Sequence, residues 1–211
     1  MRLVILGPQG AGKGTQAKKL SEKHDIPHIA TGDIFRWAIR QGDELGREVK
    51  DYVDDGKLVP DGLTLRVVSE RLESDDAQRG WILDGFPRNL EQAEGLHELM
   101  ELKGRELDKA LVIEVPEEVS LRRTLGRRVC ENCGATYHQD RPPTNDWTCD
   151  RCGGNVVPRS DDSEAKIRDR LATYHERTEP LKEYYKERGQ LLVVDGTGSP
   201  EEVFDKIVEG L

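Results

Sequence analysis

The stretch Gly7-Pro8-Gln9-Gly10-Ala11-Gly12-Lys13-Gly14-Thr15 combines the residue types needed to hold a polyphosphate. Its glycines let successive backbone N–H groups turn inward onto anionic oxygens, and a helix starting there adds the positive end of its dipole. Lys13 supplies a mobile charge. The stretch follows the apolar run Leu3-Val4-Ile5-Leu6 and leads into a helical pattern carrying Ala17 and Leu20. Strand, glycine loop and helix thus stand in the order that phosphate binding requires, a context that a glycine-rich turn beside a chance lysine would lack. One spacing is unusual. Ser or Thr commonly follows the lysine to meet magnesium, but here Gly14 intervenes and the hydroxyl belongs to Thr15.

Trp81-Ile82-Leu83-Asp84-Gly85-Phe86-Pro87-Arg88 is a second constellation. An apolar strand ending in aspartate puts a carboxylate at the C-terminal edge of a sheet, where phosphate-loop proteins hold magnesium or its waters. Gly85 lets a ligand approach the backbone, and Arg88 offers a planar fork for phosphate. Arg36 lies early in a helix. Arg123, Arg127 and Arg128 precede the cysteine-bearing segment, and Arg159, Arg168 and Arg170 follow it. Exposed ion pairs would explain one arginine-rich helix face; arginines on both sides of an insertion suit a flap that closes over a polyphosphate.

Cys130-Glu131-Asn132-Cys133-Gly134 and Cys149-Asp150-Arg151-Cys152-Gly153 are matching knuckles separated by fifteen residues. Cys130, Cys133, Cys149 and Cys152 at this separation can place four thiolates tetrahedrally around one zinc ion, and a site so filled is structural. Two disulfides are disfavoured in a reducing compartment, and spare cysteines are disfavoured by the repeat. Iron stays open as an alternative, since four thiolates accept either metal.

The elements that must position these residues follow from periodicity. Short apolar runs predict strands over 3–6, 28–30, 81–84, 110–115 and 191–194, continuous enough to be covered on both faces of a parallel sheet. Amphipathic patterns predict helices over 13–24, 32–41, 45–55, 62–74, 90–103, 117–125, 164–176, 180–188 and 201–209. Thr31 and Asn89 are candidate N-caps, and Gly56, Gly104 and Gly189 stand just past C-termini. The pattern breaks over 126–162, which holds all four cysteines and no helical period, and two consecutive helices replace a single crossover between residues 30 and 60. The 211 residues suit one α/β domain with insertions. A net charge of −9 opposes non-specific nucleic-acid binding, and no apolar run approaches the length of a membrane span. The strand at the very start leaves no room for a signal peptide, so the expected setting is cytoplasmic. The acidic pairs Asp54-Asp55, Asp75-Asp76 and Asp161-Asp162 read as solvated surface, or as a hint of a high-salt source.

Along essentially its whole length the chain resembles the adenylate kinases of the long-lid, zinc-containing type. The match is carried by residues 7–15, Thr31-Gly32-Asp33-Ile34-Phe35-Arg36, Gly56-Lys57-Leu58-Val59-Pro60-Asp61, residues 84–88, Gly126-Arg127-Arg128, Thr136-Tyr137-His138 and the arginines from 159 to 170. The resemblance implies an α/β phosphate-loop nucleoside monophosphate kinase fold with a five-stranded parallel sheet. It divides the chain into a core (1–29, 60–125 and 163–211), an AMP-binding unit (30–59) and a zinc-binding lid (126–162). ATP would be held by Gly10, Ala11, Gly12, Lys13, Gly14 and Thr15, with Arg123, Arg127, Thr136, Tyr137 and Gly198. AMP would be held by Thr31, Arg36, Lys57, Leu58, Val59, Gly85, Phe86, Pro87, Arg88 and Gln92, joined by Arg159 and Arg170 near the transferred phosphate. Asp84 would orient waters on Mg2+, assisted by Asp33. Two positions depart from the family. Gln9 stands where proline is frequent, a surface-loop change expected to leave the chemistry alone. Gly198 replaces a lysine or glutamine at a contact made by backbone.

The implied reaction is ATP + AMP ⇌ 2 ADP, run by a monomer on small-molecule substrates with one Zn2+ per chain and Mg2+ accompanying ATP. Lys13, Arg88, Arg123, Arg127, Arg159, Arg170 and Asp84 would be its catalytic residues. Two rivals share parts of the pattern. A kinase for GMP, UMP or CMP would have the same phosphate machinery and a different base pocket around Thr31, Val59 and Gln92. A zinc-ribbon ATPase binding RNA would need a basic, aromatic cysteine module, whereas Asp140, Asp146, Asp150, Asp161 and Asp162 make this one mixed in charge.

Overall fold

The computed structural model describes residues 1–159 and 161–211. Strands β1 (Arg2–Leu6), β2 (His28–Ala30), β3 (Trp81–Asp84), β4 (Lys109–Glu114) and, after three strands of an insertion, β8 (Leu191–Asp195) form a parallel sheet in the order β2-β3-β1-β4-β8. Its strands are apolar along their length because helices cover both faces. On one face Val4, Leu6, Leu83 and Val112 pack on α4 (Asp61–Leu72), α5 (Leu90–Leu102) and α8 (Leu181–Glu187). On the other, Leu3, Ile5, Ile82 and Leu111 pack on α1 (Lys13–His24) and α9 (Pro200–Gly210). Register decides what this scaffold can present. Asp84 pairs with Ile5 of β1 and with Ala30 of β2, so the glycine loop, Thr31 and Asp84 emerge at one sheet edge.

Two structures are inserted into this frame. Helices α2 (Thr31–Gln41) and α3 (Glu44–Asp55) form a hairpin whose small core holds Phe35, Val49, Val59, Leu63 and Val67. The Asp43 side chain accepts the Gly46 N–H at 2.7 Å and caps α3. The second insertion leaves α6 (Glu117–Leu125) and returns through α7 (Glu164–Thr173). Between them β5 (Arg127–Cys130), β6 (Thr136–His138) and β7 (Val156–Pro158) make an antiparallel sheet in the order β6-β5-β7. Each strand has three or four residues, too few to show an alternating pattern in the sequence.

Several helix ends differ from the periodicity. Thr31 is the first residue of α2 and not its cap, and its hydroxyl donates instead to the Gly85 carbonyl at 3.0 Å. Asn89 does cap α5, accepting the Gln92 N–H. Ser199 and Glu202 cap α9 reciprocally, a capping box that starts the helix one residue early. The predicted helix over 164–176 is interrupted, for the chain widens into a π turn over Tyr174–Thr178. Such turns occur where a helix is bent to deliver a side chain, and here Thr178 donates its hydroxyl to the Arg88 carbonyl at 2.7 Å.

Gly46 shows how tightly the hairpin closes. A Cβ there would be driven into the Ala38 carbonyl, whereas one on Gly62 in α4 would meet nothing. Gly46→Ala should therefore destabilise by about 1–3 kcal/mol through overpacking, read as a lower urea midpoint at unchanged slope. Gly62→Ala should hold or raise that midpoint through its lower unfolded-state entropy.

Candidate active site

A cleft of about 1120 Å³ runs along the C-terminal sheet edge and between the two insertions. The glycine loop forms its floor. Gly7, Gly10 and Gly12 adopt φ of 139°, 73° and 97°, a region costly for any other residue. Gly12 precedes α1 without any side-chain cap, and the first turn has no acidic residue, so the helix start keeps its positive character. Lys13 folds back over the loop, its Nζ donating to the Gly7 and Pro8 carbonyls at 2.8 Å each.

Gln9, read from the sequence as a surface-loop change, is partly buried and bonded through both its side chain and its backbone. Its Nε2 donates to the Ile167 carbonyl at 2.7 Å, and its own carbonyl accepts the Ser120 hydroxyl at 2.5 Å. The loop is thereby fastened to α7 and α6, the two helices that flank the cysteine insertion.

Asp84 is half-buried between His28, whose Nε2 lies 3.3 Å from Oδ2, and the start of α1. Burial opposes its charge, but the hydrogen bond from His28 and the cations Lys13 and Arg88 hold it below the usual carboxylate range. His28 stands alone as a ring nitrogen donor in an otherwise apolar strand, the one sequence signal that marked it. Arg88 is fixed from three sides. Its Nε donates to the Gly85 carbonyl at 2.7 Å, its N–H donates to Gln92 Oε1 at 2.8 Å, and its carbonyl accepts Thr178. Burial, with Arg170, Arg36 and Arg159 nearby and Asp84 opposing, pushes its guanidinium down to about 10.

Asp161 and Asp162 overturn the reading of a solvated acidic pair. Asp161 is 9% exposed, and the Asp162 side chain is 4% exposed. Arg127 grips Asp162 through Nε and Nη2, both at 2.7 Å, and Arg159 grips Asp161 at 2.5 and 2.7 Å. Arg170 bridges the two, at 2.7 Å to Asp161 and 3.3 Å to Asp162. Despite burial, these contacts from Arg159 and Arg170 hold Asp161 far below the ordinary carboxylate range. Arg36 pairs with Asp33 at 2.5 Å.

The cleft therefore brings together Gly10 through Thr15, Thr31, Arg36, Lys57, Leu58, Val59, Asp84, Gly85, Pro87, Arg88, Gln92, Arg123, Arg127, Thr136, Tyr137, Arg159, Arg170 and Gly198. Phe86 is left out, being fully buried in the core beside β3. Arg123 donates to the Gly196 and Thr197 carbonyls at 2.8 and 3.3 Å, tying α6 to the loop after β8. Lys57 pairs with Asp55 at 2.9 Å on the rim. Arg168 is absent from the cluster, pairing with Glu164 on the exposed face of α7.

In the second insertion the four cysteine sulfurs lie within 4.8 Å of one another. Cys130 and Cys152 are 3.5 Å apart, and Cys133 and Cys149 are 3.6 Å apart. Those separations approach the edge of a tetrahedron of sulfurs around one ion, about 3.8 Å when each metal–sulfur bond is about 2.3 Å. Gly134 and Gly153, each following a pair, take φ of 70° and turn both knuckles. The donor set fits a soft ion such as zinc. The Tyr137 hydroxyl donates to Cys149 Sγ at 3.4 Å and accepts the Asp150 N–H at 2.9 Å, coupling β6 to the cluster.

The profile of the family described as Adenylate kinase matches residues 5–190. The chain belongs to the adenylate kinase family. It is 51% identical over 208 residues to an adenylate kinase of Clostridium perfringens, covering 98% of this chain and 96% of that one. An adenylate kinase of Clostridium beijerinckii is 51% identical over 210 residues, with 99% and 97% covered. One of Thermoanaerobacter pseudethanolicus is 50% identical over 212 residues, with 100% and 98% covered. Among the described residues no helix is long and apolar enough to cross a membrane.

Lys13 makes this kinase's charge distribution testable by pH. Burial, opposed by Asp84 and reinforced by Arg88 and Arg127, lowers it from 10.5 to about 8. In free enzyme its charge is lost above that value, so kcat/KM for phosphoryl transfer should fall on the alkaline side. Stability should move the other way. Between about 8 and 10.5 the unfolded chain holds a proton that the native state has released, so unfolding becomes harder as pH rises. Relative to Lys13→Met, the unmodified protein should gain stability across that window in melts recorded at successive pH values.

Proposed function

We propose that the chain catalyses ATP + AMP ⇌ 2 ADP. The observation that carries this reading is the convergence of two groups of cations on one cleft, with Asp84 between the glycine loop and Arg88. Lys13 of the glycine loop and Arg88 both act on Asp84; Arg36, Arg159 and Arg170 lie close to Arg88, and Arg127 lies close to Lys13. The cleft volume exceeds the ~300–1,000 Å³ usual for one small ligand, in keeping with two nucleotides end to end.

Gly10 through Thr15 would hold the ATP phosphates, with Arg123, Arg127, Thr136, Tyr137 and Gly198 on the ATP side. Thr31, Arg36, Lys57 through Val59, Gly85, Arg88 and Gln92 would hold AMP, Pro87 shaping the wall and Phe86 supporting it from the core. An AMP phosphate oxygen attacks the γ-phosphorus and ADP leaves, so no side chain becomes a covalent intermediate. The residues act by alignment and by charge: Lys13, Arg88, Arg159 and Arg170 face the equatorial oxygens that gain charge in transfer. Asp84, ionised and turned toward α1, is the oxygen donor suited to Mg2+ and its waters, which neutralise the phosphates when bound. Residues 30–59 and 126–162 would be the moving units over a core of 1–29, 60–125 and 163–211, excluding water as they close.

The enzyme would work in the cytoplasm. Its four cysteines would hold one Zn2+ per chain, filling every tetrahedral position and leaving none for substrate, so the ion supports the lid fold alone.

An assay coupled to ADP formation, run with AMP, GMP, UMP and CMP in turn, tests the acceptor. Lys13→Met should retain the fold and lose about 10³-fold or more in activity, on the scale of one essential charge in phosphoryl transfer. Arg88→Ala should raise the KM for AMP far more than that for ATP, and Arg88→Lys should restore only part of it, lacking the bidentate fork. Equal effects on both substrates would refute a dedicated AMP side.

Metal removal separates structure from chemistry. Elemental analysis should find about one zinc per chain, and chelation should lower the melting temperature of the lid because ion binding and lid folding are coupled. Transfer should survive chelation at temperatures where the stripped lid stays folded. Complete loss there, with an unchanged circular dichroism spectrum, would point to a catalytic ion.

A further inference from the structure

Gln92 is 2% exposed and lines the cleft, and its amide is held in one orientation. Oε1 accepts the Arg88 backbone N–H at 2.8 Å, while Nε2 donates to Asp61 Oδ1 at 2.6 Å. A backbone N–H can only donate and an ionised carboxylate can only accept, so both contacts select the same face of the amide. Asp61 Oδ1 also accepts Asn89 Nδ2 at 2.9 Å, and Asn89 Oδ1 in turn caps α5 on the Gln92 N–H at 2.8 Å. One carboxylate oxygen thus orients two amides. Asp61 opens α4 and lies behind Gln92, outside the lining of the cleft. Burial opposes its charge, but the hydrogen bonds from Asn89 and Gln92 keep it below the usual carboxylate range.

A primary amide has two lone pairs and two N–H bonds. Arg88 and Asp61 consume one of each, which leaves one acceptor on Oε1 and one donor on Nε2 in a fixed order. The Watson–Crick edge of adenine offers a 6-amino donor beside the N1 acceptor, the complement of that order. A 6-oxopurine offers an oxygen acceptor beside an N1–H donor, so acceptor would meet acceptor and donor would meet donor. An amide free to turn over would suit either purine equally.

We propose that Asp61 is a specificity-determining positioning residue, which locks the Gln92 amide and so selects a 6-aminopurine monophosphate over a 6-oxopurine monophosphate. This rests on the reading of the Gln92 pocket as the acceptor base site. Contacts with a fixed donor and acceptor discriminate far better than pocket shape, because the wrong base leaves buried polar groups unpaired. Asp61 achieves this without touching the base.

The test compares kcat/KM for AMP and for IMP as acceptors with ATP saturating. Asp61→Ala should lower the AMP-to-IMP ratio by at least ~10-fold, through a higher KM for AMP and a gain with IMP, and leave the KM for ATP unchanged. Asp61→Asn keeps an oxygen acceptor at the same reach and should retain most of the ratio. A purely structural role would depress both acceptors together, with a lower melting temperature and a constant ratio. Where Asp61→Ala does not fold, Asp61→Ser keeps a good helix start but stops short of both amides, and the same loss is expected. Gln92→Leu must flatten the ratio as well; if it does not, the base-site reading itself fails. If Gln92→Leu flattens the ratio and neither Asp61→Ala nor Asp61→Ser does, the assignment to Asp61 is overturned.

Discussion

The concentration of positive charge in one cleft is the constraint on which the rest of this structure depends. Lys13, Arg36, Arg88, Arg127, Arg159 and Arg170 face a common space, and burial first, then the neighbouring cations, lowers Lys13 and Arg88 there. Like charges at such separations in a partly desolvated cleft cost several kcal/mol unless countered. The counter-charges are placed to match. Asp84 lies close to Lys13 and Arg88, Asp33 pairs with Arg36, and Asp161 with Asp162 pairs with Arg127, Arg159 and Arg170. The four aspartates lie on three segments, so offsetting this charge requires the sheet edge, the α2–α3 hairpin and the base of the cysteine insertion to be in place together.

That requirement explains how the insertions are joined to the frame. Among the described residues, the core of the cysteine insertion is Cys130, Ala135, Cys149 and Val156, flanked by Tyr137 and Trp147. A core that small does not fold on hydrophobic burial alone, and a coordinated ion is the usual remedy. At its base the links are polar: Arg170 of α7 holds Asp161 and Asp162, and Arg127 grips Asp162 across the two ends of the insertion. Hydrogen bonds and ion pairs at a junction can exchange partners without the loss of a packed interface, as the lid motion proposed above would require. The α2–α3 hairpin is attached by both kinds of contact: Phe35 and Val49 pack with Leu63 and Val67 of α4, and the Lys166 ammonium of α7 donates to the Asp54 carbonyl at 2.6 Å.

Much of this was legible from the chain. The strands over 28–30 and 81–84 and the helices over 13–24 and 117–125 have the observed limits, because continuous apolar runs and punctuating glycines are local signals. The glycine loop, Asp84 with Arg88 and the cysteine knuckles were legible for the same reason, since each motif carries its chemistry within a few residues. What stayed hidden is contact between distant residues. Nothing near Asp61 announces Gln92, nothing near Gln9 announces Ile167, and Asp161-Asp162 looks like any exposed acidic pair until Arg127 and Arg170 are brought to it. The short strands of the insertion and the π turn over Tyr174–Thr178 escaped because neither has enough residues to set a period.

The buried aspartates also bear on how the proposed reaction can be reversible. A guanidinium gripping a carboxylate by two hydrogen bonds is already paired, and a nucleotide phosphate that takes it replaces one charge-assisted pair with another. The net gain per exchange is the difference between two similar interactions, much smaller than the pairing of an isolated arginine. In the proposed reaction, ground-state binding would be kept modest in that way. Stabilisation can then be largest where charge on the phosphoryl oxygens rises during transfer, which is the portion of binding energy that accelerates a reaction. Arg170 is held at once by Asp161 and Asp162; in the proposed reaction it would release one carboxylate while keeping the other, and so would follow the transferred group without losing its position.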